Sequence, residues 1–318
     1  MNDWPPAFDA CLACPSCHGN LRKQVGKEGE HEYSCHQCKK EYPRDSYGYF
    51  DFTLANHIYA YHSTTENYAK EQESYPIRRY KDFLRPFVEA EPTGRILEVG
   101  CGVGTETALL VNDGYDAYGL DVPDLSKFWD QLGNSKERYF AGDAARLPFH
   151  DNIFDMVFSL GVIEHIGTSD GHADLLENYW DVRQSYANEM WRVTKPGGRI
   201  LIACPNKSFP IDIQHGVEAG HNGIRSTIFI KTGINIHRTW GKHQLLSYGE
   251  MKKLFQLAGK PHSFQPLSLK GYFGFGRFKS GFLRPLTNLC AWYVNHLPRF
   301  LRGTFFNPYM LVQIRKDF

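Results

Sequence analysis

The sequence predicts an α/β protein built on a seven-stranded, doubly wound sheet with helices on both faces and a small zinc ribbon in front of it. Three observations carry this. Residues 95–105, Arg-Ile-Leu-Glu-Val-Gly-Cys-Gly-Val-Gly-Thr, read as a buried strand, a tight glycine turn and a helix start. Strand-like and helix-like stretches alternate from there to about residue 205, and late strands at 262–269 and 309–314 close the sheet with a hairpin. Ahead of all this stand two Cys-x-x-Cys pairs. At 318 residues the chain can hold one main domain of roughly 200–250 residues plus an appendage. The expected divisions are a ribbon over 1–52, a linker with helices over 53–94, the main domain over 95–270 and a basic aromatic segment over 271–318.

Cys14-Pro-Ser-Cys17 and Cys35-His-Gln-Cys38 are separated by 17 residues, the spacing of a four-thiolate zinc site. Each pair makes a tight knuckle, and the chain between them returns as a hairpin over 20–25 and 31–34 around a Gly-Lys-Glu-Gly-Glu turn. So small a hairpin has too little core to fold unaided, and a bound ion would supply its folding energy. Four thiolates leave no open coordination position, which makes such a site structural rather than catalytic. Pro15 and Gly19 favour Cys14/Cys17 as the first pair. Cys11 with Cys14 is an alternative, and His18, His31 and His36 are substitute ligands. A disulfide framework is the competing reading, opposed by the reducing compartment expected for a chain of this kind.

Residues 53–92 are polar and aromatic, with a helical pattern over 77–89 that Pro86 should bend. Tyr59, Tyr61 and Tyr68 are placed either to pack or to shield a ligand. After the first strand, Gly100, Gly102 and Gly104 occupy alternate positions, where freedom in φ and a missing Cβ let a nucleotide-like ligand approach. A dinucleotide turn closes on a third glycine at the position held here by Thr105. Glu98, at the end of the strand, would repel a pyrophosphate and suits a ligand bearing an ammonium group. The run Glu98-Val-Gly-Cys-Gly-Val-Gly104 resembles motif I of the class I S-adenosylmethionine (SAM) methyltransferases, which implies a Rossmann-like sheet and a ligand carrying a sulfonium and an α-amino group. The cysteine pairs, with Tyr42-Pro43 and Phe50-Asp51-Phe52 after them, resemble the small zinc ribbons fused in front of some methyltransferases.

Residues 116–120 read as a second strand ending in Asp121, an acid placed to meet two ribose hydroxyls, with Val122 beside it. A strand at 137–141 leads into Gly142-Asp143-Ala144-Ala145-Arg146-Leu147-Pro148-Phe149. This is similar to the family's Gly-Asp-Ala-x-x-Leu-Pro-Phe stretch, which implies that Asp143 holds the adenine amine and that the Ala144 amide meets a ring nitrogen. The strand at 154–160 and Gly161-Val162-Ile163-Glu164-His165-Ile166 resemble the family's fourth-strand motif, which implies Leu160 and Gly161 beside the sulfonium. An Asn-Pro-Pro-Tyr-type motif is absent there, which argues against adenine methylation of DNA. A helix over 173–193 should turn Leu176, Tyr179, Trp180, Tyr186 and Met190 inward. Lys195-Pro-Gly-Gly, a strand over 200–204 and a helix over 247–258 complete the series.

Methyl transfer from a sulfonium is an in-line displacement, so positioning dominates and a base is needed only where the acceptor loses a proton. His165 stands at the right strand end, although a Glu-His-Ile run there also serves packing. The insertion at 206–246 falls where this fold builds a substrate cap, and it holds Asp212, His215, His221, His237 and His243. Asp212-Ile-Gln-His215 is the pair chosen as orienter and base, because histidine titrates near neutrality. A second metal site among these histidines is the minor alternative. Cys204, followed by Pro205, reads as a buried strand cysteine rather than a nucleophile.

The composition is globular, with 42% hydrophobic and 22% charged residues, and no run is long and apolar enough to span a bilayer. The start of the chain lacks a basic region followed by an apolar stretch, so a cytoplasmic protein is expected, with peripheral membrane contact as an option. Residues 251–318 hold 11 Lys and Arg against one acid, Asp317. Aromatics interleave with these charges at 272–279 and 282–306, and Leu283, Leu286, Leu289, Trp292, Tyr293 and Leu297 stand near helical spacing. Such a segment suits a membrane surface, RNA stacking or helices packed on the last hairpin. The expectation is a SAM-dependent methyltransferase acting at oxygen on a small-molecule or lipid- or glycan-linked acceptor, with structural zinc in a ribbon that also offers a protein-docking surface. RNA methylation and a non-catalytic SAM-binding scaffold are the alternatives.

Overall fold

The computed structural model describes residues 8–25, 31–53, 75–91, 93–169, 174–212, 214–215, 223–273 and 284–317. The turn at 26–30, Tyr59, Tyr61, Tyr68, Ala173, His221 and residues 274–283 lie outside the described residues. Strands follow the chain as β1 (Leu21–Val25), β2 (His31–Cys35), β3 (Glu41–Tyr42), β4 (Phe50–Asp51), β5 (Arg95–Val99), β6 (Asp116–Asp121) and β7 (Tyr139–Ala141). After them come β8 (Phe154–Leu160), β9 (Thr194–Pro205), β10 (Ile211–Asp212), β11 (Asn235–Ile236), β12 (Pro261–Pro266) and β13 (Tyr309–Lys316). The helices are α1 (75–89), α2 (Thr105–Asn112), α3 (Ser126–Gln131), α4 (Tyr179–Val193), α5 (Ile224–Thr232), α6 (Tyr248–Ala258) and α7 (Arg284–Asn295).

The main sheet runs β12-β13-β9-β8-β5-β6-β7-β4, eight strands where the sequence predicts seven. From β4 to β9 the strands are parallel, and β13 and β12 add antiparallel to β9. Strand order reverses on either side of β5, which opens a crevice at the carboxyl ends of β5 and β8 where α/β sheets take their ligands. Ile96, Leu97 and Val99 of β5 are fully buried, as a central strand covered on both faces requires.

The extra strand is β4, the exit of the ribbon. Phe50 pairs with Phe140 and Asp51 with Ala141, and the Phe52 amide donates to the Ala141 carbonyl at 2.8 Å. Phe50 and Phe52 are both buried, and Phe52 packs near the ring of Phe140, so the ribbon caps an edge that would otherwise be open. Two residues give too short a pattern for a strand to be read from sequence.

Two helices also differ from expectation. The helix predicted over 173–193 begins at Tyr179. Ahead of it Leu175 bridges Thr168 and the Leu176 amide donates to Gly167, so Leu176 is exposed rather than inward. In α1 the turn Tyr80–Leu84 is widened, and the Arg85 amide reaches back to the Tyr80 carbonyl. Pro86 causes this, since its ring displaces the carbonyl four residues earlier. The predicted helix over 247–258 starts one residue later, at Tyr248, behind a capping box in which Ser247 and Glu250 satisfy each other's amides. No helix among the described residues is long and apolar enough to cross a membrane.

Candidate active site

The glycine loop sits between β5 and α2 with all three glycines at positive φ: +81° at Gly100, +56° at Gly102 and +84° at Gly104. A Cβ on Gly100 would lie 2.2 Å from Val162 Cγ2, and one on Gly104 would lie 2.5 Å from the Tyr139 ring. At these two positions the chain's own side chains demand glycine. Tyr139 Oη donates to the Gly104 carbonyl at 2.8 Å and Trp129 Nε1 donates to the Gly102 carbonyl at 2.7 Å. The loop is therefore clamped from both flanks before any ligand arrives.

Glu98 is buried beneath this loop. Its Oε2 accepts from the Thr107 amide at 3.0 Å and from the Thr107 hydroxyl at 2.5 Å, holding the first turn of α2. Burial, reinforced by the neighbouring Glu106, pushes the Glu98 carboxyl well above the usual range. Glu106 in turn takes a two-pronged bond from Arg79 of α1, at 2.8 and 2.5 Å.

At the tip of β6, Asp121 accepts from the Gly102 amide at 2.6 Å and the Val122 amide at 2.7 Å, tying the glycine loop to the next strand. Burial lifts its pKa to about 6 despite those two bonds. Asp143, after β7, accepts from the Ala145 amide at 2.8 Å, and both it and Ala144 stay partly exposed. Leu160 ends β8 and Gly161 follows at φ +79°, its amide bonded to the Ala203 carbonyl of β9 at 2.8 Å. Every acid and glycine that the sequence places around a nucleoside thus lies at the carboxyl ends of neighbouring strands.

The cap at 206–246 contributes β10, β11 and α5. His215 Nδ1 stands 2.7 Å from Asp212 Oδ2, so the i, i+3 pair chosen from sequence meets in space. Burial opposes a charge on His215, yet the Asp212 bond prevails and its pKa is raised. The His165 ring lies 5.2 Å from that of His215. Glu164, 1% exposed, has its Oε1 3.8 Å from where a Gly161 Cβ would stand. His237 and His243 form a second buried pair with rings 4.7 Å apart. Cys204 is fully buried in β9, and burial raises its thiol well above the ordinary value.

Sequence reasoning missed the residues that hold these groups. Arg183, fully buried on α4, donates to the carbonyls of Gln244 at 2.6 Å, Ile166 at 2.9 Å and Glu164 at 3.3 Å. It joins the turn after β8 to the end of the cap. Its signal was available: a charged residue in register with the inward face of Tyr179, Tyr186 and Met190. Val162, Tyr139 and Trp129, which shape the glycine loop, carry no such mark.

In the ribbon, the sulfurs of Cys14, Cys17, Cys35 and Cys38 all lie within 4.8 Å of one another, with Cys14–Cys38 at 3.6 Å and Cys17–Cys35 at 3.4 Å. Amides of Gln37 and Cys38 point at Cys35 Sγ, both at 3.4 Å, and His18 and Lys39, one residue past each pair, take positive φ. Sulfur spacings of this size fit a tetrahedral ion with bonds of about 2.3 Å. Cys11 stands apart, its sulfur 3.0 Å from Arg95 Nη1.

A mixed sheet with a switch point in its parallel part, a clamped glycine loop and acids at successive strand tips make a crevice of the kind in which α/β domains take ligands. Residues 97–202 match the family described as methyltransferase domain. A demethylmenaquinone methyltransferase of Renibacterium salmoninarum is 36% identical over 132 residues, covering 40% of this chain and 47% of that protein. A probable tRNA methyltransferase 9B of Mus musculus is 25% identical over 190 residues, 59% of this chain and 38% of that protein. The chain thus spans less than half the length of either relative. A solved structure of Haemonchus contortus phosphoethanolamine N-methyltransferase 2 with SAM superposes with a TM-score of 0.44 at 16% identity, covering 80% of this chain and 59% of that one.

Proposed function

We propose that this chain transfers a methyl group from SAM to an oxygen of a small-molecule or lipid- or glycan-linked acceptor, bound between Gly161 and the cap. The observation that carries this reading is the Asp212–His215 hydrogen bond at 2.7 Å, on the same side of the sheet as Glu164 and His165. Asp121 takes the ribose hydroxyls, Asp143 and the Ala144 amide take the adenine edge, and Leu160 and Gly161 border the reacting centre. Glu98 supports the loop from below through its two bonds to Thr107. Gly100, Gly102 and Gly104 keep the backbone open to the ligand. Bound SAM supplies an electrophilic methyl whose bond to sulfur breaks as its bond to the acceptor oxygen forms. The proton leaving that oxygen goes to His215, which Asp212 orients through Nδ1 and stabilises as the charged form. His165 lines the same wall and positions the acceptor.

Zinc on Cys14, Cys17, Cys35 and Cys38 has a structural part: it holds the ribbon whose exit strand completes the sheet. RNA is the second acceptor class, favoured by the carboxylate-free run 251–316 with its interleaved aromatics. Labelled-methyl transfer to lipid, small-molecule and RNA extracts tests the reading, alongside calorimetry with SAM. Label in the lipid or small-molecule fraction supports it and label in RNA alone selects the second class. No SAM binding would refute both.

A further inference from the structure

The turn after β8 holds a carboxylate for which methyl transfer has no role. Glu164 is almost completely buried, and its Oε2 has no hydrogen-bond partner. A buried acid in that state is costly whether ionised or protonated, and a native fold keeps it where something else satisfies it. One ligating atom from each of Glu164, His165 and His215 lies within 4.8 Å of the others. Those atoms come from two segments, the turn at Glu164–His165 and the cap at His215, each held in place by its own bonds. Arg183 clamps the carbonyls of Glu164 and Ile166 from behind, and Asp212 fixes the His215 ring through Nδ1 at 2.7 Å. The remaining nitrogen of His215 is then the one available to ligate, and a carboxylate behind an imidazole is the usual outer support of a metal-bound histidine.

We propose that Glu164, His165 and His215 bind one divalent cation on the acceptor side of Gly161. Two imidazoles and one carboxylate favour Mn²⁺, Fe²⁺ or Zn²⁺ over Ca²⁺ or Mg²⁺, which prefer all-oxygen shells. Three protein ligands leave open positions for an acceptor oxygen, so the substrate class is a molecule whose reacting hydroxyl ligates a cation. Coordination lowers the pKa of that hydroxyl, so the loaded site leaves His215 as ligand and the ion-free site leaves it as base. The catalytic consequence rests on the methyl-transfer reading; the binding does not.

Mn²⁺ is the probe, because a zinc-loaded four-thiolate ribbon has no vacancy for it and thiolates hold it poorly. The full-length, zinc-loaded chain is titrated with Mn²⁺ and free ion is read by electron paramagnetic resonance, with SAM calorimetry on the same sample. The expected result is saturation at one Mn²⁺ per chain. Glu164→Gln and His215→Ala, each verified to melt like the parent, should weaken binding at least tenfold, and Asp212→Asn by about 10–100-fold. Absence of saturable binding, or binding indifferent to Glu164→Gln and His215→Ala, would overturn the proposal. Should Glu164→Gln misfold, His215→Ala in the partly exposed cap decides the question alone. SAM binding without Mn²⁺ binding sinks the cation site and spares the methyl-transfer reading; Mn²⁺ binding without SAM binding does the reverse.

Discussion

Replacing Gly100 by alanine tests whether the glycine loop is shaped by the protein or by its ligand. At φ +81° an L-residue costs about 1–2 kcal/mol relative to its preferred conformations. The new Cβ would also sit 2.2 Å from Val162 Cγ2, 3.0 Å from Cγ1 and 3.2 Å from Cβ, an overlap that repacking relieves at a cost of about 1–3 kcal/mol. The sum, about 2–5 kcal/mol, is a large share of ordinary domain stability. Val162→Ala removes both offending methyls and leaves only the 3.2 Å contact, so the double variant should recover the overlap and keep the backbone cost. Urea unfolding of the parent, both single variants and the double variant, with zinc present throughout, closes the cycle. The expected coupling is about 1–3 kcal/mol in favour of the double variant. A coupling within about 0.5 kcal/mol of zero would show that Val162 does not set the loop.

Three further outcomes follow from the same geometry. His215 titrates above 6.5 in the fold, so as a base it must lose its proton first: kcat/KM should rise with pH through a midpoint above 6.5, and Asp212→Asn should move that limb downward. The stability this pair contributes should be complete below about 6.5 and fade as pH rises through the raised value, read as the difference between parent and His215→Gln. Asp121, lifted to about 6, should bind SAM as the carboxylate, so calorimetric affinity should fall as pH drops through about 6. Asp121→Ala should lose about 10–150-fold at neutral pH, the worth of charged hydrogen bonds, and abolish that dependence. Cys14→Ser should lower the zinc content by one per chain in elemental analysis and speed amide exchange in 139–141, where β4 no longer covers β7; unchanged exchange would show that the metal does not hold that edge.

Much of the arrangement around the glycine loop was legible because each of its residues announces itself locally. Glu98, Asp121, Asp143 and Leu160–Gly161 each close an apolar strand, and an acid or glycine at such a point is conspicuous within a few residues. The Asp212–His215 pair was legible for the same reason, being three residues apart. The capping box at Ser247 is likewise a pattern of four neighbours. Leu176 shows the limit of that approach: its spacing suits the inward face of a helix, yet the bridge from Leu175 to Thr168 starts the helix later.

By itself, the sequence determined the order of strands and helices, the acids at the strand tips and the two cysteine pairs, since periodicity and turn chemistry act over one or two turns of chain. Only the tertiary structure decided what those elements meet. Val162 reaches Gly100, Arg183 joins the fourth-strand turn to the cap, and the ribbon's Phe50 and Phe52 extend the sheet. It also brings His215 to the adjacent Glu164 and His165, about 50 residues earlier in sequence. Contacts of that separation arise from the packing of whole elements around a common core, and no local pattern encodes them.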